Sequence, residues 1–338
     1  MNPKISIVMP TKQGLYPMRG KVDLDIFDLL LLSLEAQTFK DFELIIVDYY
    51  YKDKERQKRF KDHRFDFPIK YIPQRPSMWD DIKKAPQISL ARNSGIVFAK
   101  GKITICIDDC IRMDTKNLLE QIWWWWENYG LVLRPLVDNS IPRNQINNYN
   151  KDADSKWIED LPDYLRFKEL NAHRGNVYSY PTEAYLDLNG FDERFDGGWG
   201  SEDCDFSKRL DIFGMKRFVL KEGHERFIRI DHNGFINTVE SATRCVQCNE
   251  AYAHWKYPLI EKGMLIANSS SLSEDQIKEI QSVCKSDKCP LFTSGSCKRD
   301  KIIDPQYYRI IQPSFNMRED RLKMLARYGD RVGPFDPW

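Results

Sequence analysis

Through roughly the first 135 residues, short apolar runs alternate with segments of helical periodicity, and two of those runs end on an acid. This alternation limits the possible folds more than any other feature of the chain. Residues 4–9 predict a first strand, stopped by Pro10. Residues 23–37 carry apolar side chains at helical spacing, at Leu24, Phe27, Leu30, Leu31 and Leu34. Residues 43–47 predict a second strand ending at Asp48, residues 52–60 a charged exposed helix, and residues 69–72 a third strand. Residues 86–99 predict a helix, with Pro86 at its start and Gly101 just beyond its end. Residues 103–107 predict a buried strand ending at Asp108, followed by a helix over 115–129 and a strand over 131–133. The expected fold class is α/β, a mostly parallel central sheet flanked by helices. Ligands of such sheets bind at the carboxyl ends of the strands, where Asp48 and Asp108 both stand.

Residues 135–169 are polar and partly Asn-rich, which predicts an excursion serving as part lid and part acceptor surface. Residues 182–188 and 202–213 predict helices closed by Gly190 and Gly214, and residues 216–220 and 227–230 predict strands. After His232 the pattern changes to helical segments, Ser-rich turns and cysteines. The expected division is a domain over 1–234 and a smaller, mainly helical, cysteine-containing module over 235–338, with 333–338 irregular.

A chain of 338 residues can bury a substantial core. Its formal charge of +1 gives no global field to attract nucleic acid or anionic lipid. The apolar run at 5–9 is too short for a signal peptide, and no segment is long enough to span a bilayer. The expectation is a cytoplasmic protein that at most visits a membrane surface. Cys245-x-x-Cys248 and Cys284-x4-Cys289 have the local spacing of a structural Zn²⁺ site, with Cys297 as a spare; free thiols or a disulfide are the alternatives.

The chemistry concentrates around Gly197-Gly198-Trp199-Gly200-Ser201-Glu202-Asp203, where two acids follow a glycine loop and an indole. A general base has to stand within hydrogen-bond reach of the proton it takes, and flanking glycines let the backbone approach a ligand. The same two acids at a helix start also gain from the helix dipole without any catalytic role. Asp108 and Asp109, at a strand end, suit a divalent ion on a diphosphate, or a capped turn. In extended geometry the two side chains point to opposite sides. Arg92 can neutralise a phosphate or brace a carboxylate, and Asn93 in mid-helix implies that its amide is used. Trp123–Trp126 spread over more than one helix face, which predicts packing.

Taken together, these residues resemble the family 2 inverting glycosyltransferases of the GT-A fold, over roughly residues 4–233. Ile7-Val8-Met9-Pro10-Thr11 resembles the family's first strand and nucleotide-contacting loop, and Val47-Asp48 the second strand end, whose acid recognises the base. Ala91-Arg92-Asn93-Ser94-Gly95 resembles the donor-side helix, and Asp108-Asp109-Cys110 falls where the family carries Asp-x-Asp. Gly175-Asn176, the run Gly190-Phe191-Asp192-Glu193-Arg194-Phe195, and Trp199-Gly200 with Glu202-Asp203 complete the likeness; the last acid pair also occurs in β-1,4-galactosyltransferases. The resemblance implies a nucleotide-sugar donor, most simply a UDP-sugar, and direct displacement with inversion. Asp203 would be the base, and Glu202 would orient the acceptor or serve as the alternate base. Pro10, Thr11, Asp48, Arg92, Asn93, Asp108, Asn176 and Trp199 would line the donor and acceptor sites. Mn²⁺ or Mg²⁺ would be held by Asp108, Asp109 and His232. Cys110 stands where the family's second metal acid belongs, and a thiolate is softer than either ion prefers.

The acceptor implied is a glycan, a protein or a small molecule, with a modified nucleic acid also open. Two rival readings remain, a nucleotidyltransferase and a non-catalytic binder of nucleotide sugars or glycans. The first would need a glycine-rich, lysine-bearing loop after the first strand, and Gly14 and Gly20 match that poorly.

Overall fold

The computed structural model describes residues 2–11, 26–61, 65–77, 87–109, 111–135, 144–148, 167–169, 177–196, 200–212, 214–220, 227–229, 246–262, 273–276, 278–279 and 316–338. The elements in chain order are β1 (Ile5–Thr11), α1 (Ile26–Glu35), β2 (Phe42–Asp48), α2 (Lys54–Lys61), β3 (Ile69–Pro73), α3 (Ile88–Ile96), β4 (Ile103–Ile107), β5 (Ile111–Met113), α4 (Leu118–Tyr129) and β6 (Leu131–Pro135). They continue with β7 (Asn144–Asn148), β8 (Phe167–Glu169), β9 (Val177–Pro181), α5 (Thr182–Asp187), a 3₁₀ turn at Glu193–Phe195, α6 (Glu202–Ile212), β10 (Lys216–Leu220) and β11 (Phe227–Arg229). Helices α7 (Val246–Glu261) and α8 (Met317–Tyr328) and the short strand β12 (Gly333–Pro334) close the chain.

The central sheet has the order β12-β3-β2-β1-β4-β9 and is parallel except at β4–β9. Its strands are near-continuous apolar runs because both faces are covered. Alternate residues of β1 serve opposite cores. Ile5, Ile7 and Met9 join the side containing α1 and α4, and Val8 joins the side containing α3 and α5. The mostly parallel sheet flanked by helices, with a smaller helical C-terminal part, is thus the observed architecture.

Three details depart from expectation. Strand β1 runs through Pro10 to Thr11, pairing Pro10 with Val47 and Thr11 with Asp48. Its pairing with β4 ends earlier, at Val8–Cys106, so the ladder tolerates a residue without an N–H there. The 135–169 segment contains two strands, β7 and β8, which join β6 and β10 in a four-stranded sheet ordered β6-β7-β10-β8. Polar Asn-Gln-Ile-Asn-Asn gives no apolar signal for β7, which is why pattern reading missed it. The 333–338 tail is anchored rather than irregular. Gly333–Pro334 pairs with β3, Phe335 is buried, and the Trp338 indole N–H donates to the Pro73 carbonyl. The Trp run on α4 divides its rings: Trp125 is buried, Trp123 and Trp126 pack against the core, and Trp124 is exposed.

Helix α3 lies against the sheet because Gly95 has no side chain. A Cβ there would meet Val8 Cγ1 at 2.4 Å and Val47 Cγ2 at 3.0 Å. That close approach sets the depth of Arg92, one turn earlier.

Candidate functional site

Strands β1, β2 and β4 deliver Thr11, Asp48 and the Asp108-Asp109 pair to the same end of the sheet. Thr11 Oγ1 donates to Asp109 Oδ2 at 2.8 Å. Asp48 is wholly buried. Its Oδ2 accepts from Tyr71 Oη at 2.6 Å and from Arg56 Nε at 2.7 Å, and its Oδ1 accepts from the Tyr50 N–H at 2.8 Å. Burial pushes the Asp48 carboxyl above its ordinary range, against the pull of Arg56. Asp109 is pushed up to about 7 by burial; the Thr11 hydrogen bond opposes this, and the Asp108 and Asp48 charges add to it.

The side chain that gathers the site is Arg92. It is 2% exposed, on a helix whose buried face would ordinarily be apolar. Its Nη2 bonds Asp108 Oδ1 and its Nη1 bonds Glu202 Oε1, each at 3.2 Å. The guanidinium carbon lies 4.6 Å from the Tyr178 ring centroid and 5.0 Å from that of Phe191. Burial works against the charge, but Tyr178, Asp108 and Glu202 more than restore it, so Arg92 stays cationic. Residues 92, 108 and 202 come from a helix, a strand end and a later helix, and meet at this one cation.

Glu202, Asp203 and Asp205 fill the first turn of α6, where the helix dipole favours acids. The chain reaches that turn through Ser201, a non-glycine residue at φ 73°. Glu202 is pushed up to about 7 by burial and by the neighbouring Asp203; Arg92 opposes this. Burial also raises the Tyr178 hydroxyl well above its usual range; Arg92 pulls it down, while Asp203, Glu202 and Asp108 push it further up. All three acids therefore lie within electrostatic reach of one phenol. Asp203 is half-buried, and its Oδ1 accepts from the Cys204 N–H at 2.7 Å.

Asn93 is fully buried and bonds the Gly190–Phe195 run. Its Nδ2 donates to the Phe191 carbonyl and to Glu193 Oε1, and its Oδ1 accepts from the Phe191 N–H. Gly190 allows this clasp. It sits at φ 73°, and a Cβ there would meet Met317 Cε at 2.3 Å and Asn93 Oδ1 at 2.4 Å.

Sequence reasoning missed the supports behind these residues. Asp196 accepts from the N–H groups of Ser89 and Leu90, capping α3 from a distant loop. Lys256 of α7 is fully buried between Asp192 Oδ2 (2.7 Å) and Asp205 Oδ1 (2.8 Å). Arg209 bonds the other oxygen of Asp205, and Tyr252 donates to Asp192. Asn249 donates to the carbonyls of Phe195 and Gly200, on both sides of the loop before Glu202. The signal for Asp192 lay in the Gly190–Phe195 run; Lys256 and Asn249 had none, since a lysine and an asparagine in a mixed helix read as solvated.

Asn176, Trp199, His232, Cys110, Cys245, Cys284 and Cys289 lie outside the described residues, as does the side chain of Cys248. Among the described residues no group of three or more His, Cys, Asp or Glu side chains could hold a metal ion. Asp108 and Asp109 offer hard oxygen donors, and Asp109 is an acid that burial and like charges discourage from ionising. Those features fit a hard divalent cation such as Mg²⁺ or Mn²⁺. Among the described residues no helix is long and apolar enough to cross a membrane.

No curated protein matches the sequence. Among solved structures, the chain is similar to S. aureus TarS 1-349, with 12% identity over 92% of this chain and 91% of that one at a TM-score of 0.45. It is also similar to the mannosyltransferase PcManGT from Pyrobaculum calidifontis in complex with GDP-Man and Mn²⁺, with 11% identity over 96% of this chain and 88% of that one at a TM-score of 0.48. At such low identity and score, neither likeness identifies a residue, a sugar or an activity. Residues 164–233, well under half the chain, match the family model described as the N-terminal domain of galactosyltransferase. That match supports a glycosyltransferase-type fold and, in general terms, sugar-transfer activity.

Proposed function

We propose that this protein is an inverting glycosyltransferase of the family 2, GT-A type. It moves a sugar from a nucleotide diphosphate, most simply UDP, to an acceptor hydroxyl on a glycan, a protein or a small molecule. The reading rests on one observation: the Arg92 guanidinium bonds both Asp108 and Glu202, so acids far apart in sequence meet at one cation.

In this reading Asp203 takes the proton of the acceptor hydroxyl as that oxygen attacks the anomeric carbon. Glu202, half protonated near neutrality, orients the same hydroxyl. Attack from the face opposite the diphosphate inverts the anomeric centre, and the C–O bond to the diphosphate breaks with its electron pair. Arg92, held cationic, lies where it can meet the negative charge gathering on the departing group. Asp108 and Asp109, with His232, are the residues that would hold Mn²⁺ or Mg²⁺, and the ion would supply charge neutralisation at the diphosphate. Thr11, Pro10 and Asp48 form the base side of the cleft, with Asp48 acting through the Arg56 and Tyr50 groups that it anchors. Asn93 acts as a support for the Gly190–Phe195 run. Asn176 and Trp199 are assigned to the donor and acceptor, and Cys245, Cys248, Cys284 and Cys289 to a structural Zn²⁺ in a module over 235–338. A cytoplasmic location completes the proposal.

A panel of UDP- and GDP-sugars, scored for hydrolysis and for thermal stabilisation with and without Mn²⁺, tests it. Selective response to one donor is expected. Stabilisation without hydrolysis would leave a non-catalytic binder of nucleotide sugars, silence toward every nucleotide sugar a glycan binder at most, and release of pyrophosphate from a nucleoside triphosphate a nucleotidyltransferase.

A further inference from the structure

Helix α2 has two polar faces with different uses. Arg56 turns inward and bonds Asp48, while Phe60 packs on Tyr71 with ring centroids 4.4 Å apart. Lys54, Gln57, Lys58 and Lys61 stand at i, i+3, i+4 and i+7, the spacing of one continuous helix face. A surface helix ordinarily lays such a stripe on the core. Here it lines a groove of about 1170 Å³, walled on the other side by the 65–69 segment and by Arg331 to Pro334.

The groove is built for negative charge. Lys54, Lys58, Lys61 and Arg331 are all exposed. The acid among its described lining residues, Asp66, is paired with Lys40 at 2.7 Å. Lys54 and Lys58 are four residues apart, and Lys58 and Lys61 three apart, so they repel each other along the helix and weaken it. A bound anion removes that repulsion. The three ammonium groups are spread over about 10 Å of helix, which suits charges repeated along a chain better than a single compact anion. The volume also exceeds the roughly 300–1,000 Å³ of pockets that enclose small ligands.

We infer that the groove between α2 and the C-terminal tail binds a linear anionic glycan, one whose sugar units carry carboxylate or phosphate groups. The floor favours a glycan over single-stranded nucleic acid. Phe60 and Phe67 are 7% and 5% exposed, and the half-buried Phe65 stacks on Phe67 with ring centroids 5.0 Å apart, so the described lining residues offer apolar contact but no row of open ring faces on which successive bases could stack. Lysines act as point charges and need no planar, bidentate partner. The inference is independent of the sugar-transfer reading, because binding at the groove is measured without turnover.

The test uses the full chain and a labelled oligogalacturonate of about ten units, followed by fluorescence anisotropy. The parent should bind it, more weakly as salt rises, and should not bind neutral dextran. The triple variant Lys54→Ala, Lys58→Ala, Lys61→Ala should lose at least about tenfold in affinity, as expected when three of the four cations among the described lining residues are removed. Its melting temperature should stay level or rise, because like charges have been removed. A control triple at exposed lysines elsewhere, Lys262→Ala, Lys278→Ala, Lys323→Ala, should bind as the parent does. Absence of binding, equal affinity in the parent and the α2 variant, or tighter binding of single-stranded DNA of equal charge would each overturn the inference.

Discussion

Two clusters of charge are balanced in opposite ways. In one, Asp192 and Asp205 meet Lys256, Arg194 and Arg209, all of them fully or almost fully buried. Burial alone would raise the Asp192 carboxyl, but Lys256 and Arg194 pull it far below the usual carboxylate range. In the other, Asp108 and Glu202 bond Arg92, Asp203 adds its charge beside Glu202, and Glu202 and Asp109 are pushed up to about 7. Acids that their cations outnumber make a fastener, and an excess of acid makes a site that still has something to bind. The difference separates structural acids from candidate functional ones where burial alone does not, since both clusters are largely shielded from water.

Breaking the fastener should have the largest effect. Lys256→Met leaves two buried carboxylates without their shared ammonium, and removing one partner of a buried pair typically costs about 3–5 kcal/mol. Urea denaturation should report a loss of that size; a loss under about 1 kcal/mol would mean that the two clusters do not differ as described.

A smaller effect is expected from the protonation of Glu202. Its pKa in the folded chain is raised from 4.5 to about 7, so the folded state holds the proton more tightly than the unfolded one. The stabilisation this gives is complete below about 4.5 and is lost as pH rises through about 7, amounting to at most about 3 kcal/mol. Glu202→Gln should therefore flatten the fall in stability between pH 5 and pH 8, as read from urea midpoints at the two values. An unchanged slope would place the titration elsewhere.

Arg92→Met should cost less than Lys256→Met, about 1–2 kcal/mol, although both remove a buried cation. The side chains of Asp108 and Glu202 keep 23% and 13% of their exposure, and Glu202 can take up a proton. Equal losses in the two variants would contradict the distinction. The smallest effect is a rise of a few degrees in melting temperature on adding Mn²⁺ to the parent, absent in the variant carrying Asp108→Asn and Asp109→Asn.

Much of this was legible in the sequence, for physical reasons that can be named. The strands of the parallel sheet are buried on both faces, so they stood out as apolar runs, and residues 103–107 among them were placed to the residue; so were residues 216–220 of the four-stranded sheet. Acids at strand ends were visible because topology alone places them. Strand β7 was hidden by its Asn-rich composition, and β1 ran past Pro10 because its pairing with β4 had already ended. The convergence of residues 92, 108 and 202 rested on resemblance, since no local pattern joins a helix to a strand end. Lys256 and Asn249 could not be read at all: their roles depend on partners about fifty residues or more away.

The most direct test is the exchange of Asp203 for Asn, measured as donor affinity and transfer rate on the same preparation once the donor screen has found a substrate. The account predicts donor affinity within about twofold of the parent and a transfer rate lower by about 10²–10⁴, the range for loss of a positioned base. A variant that transfers sugar at the parent rate would contradict it.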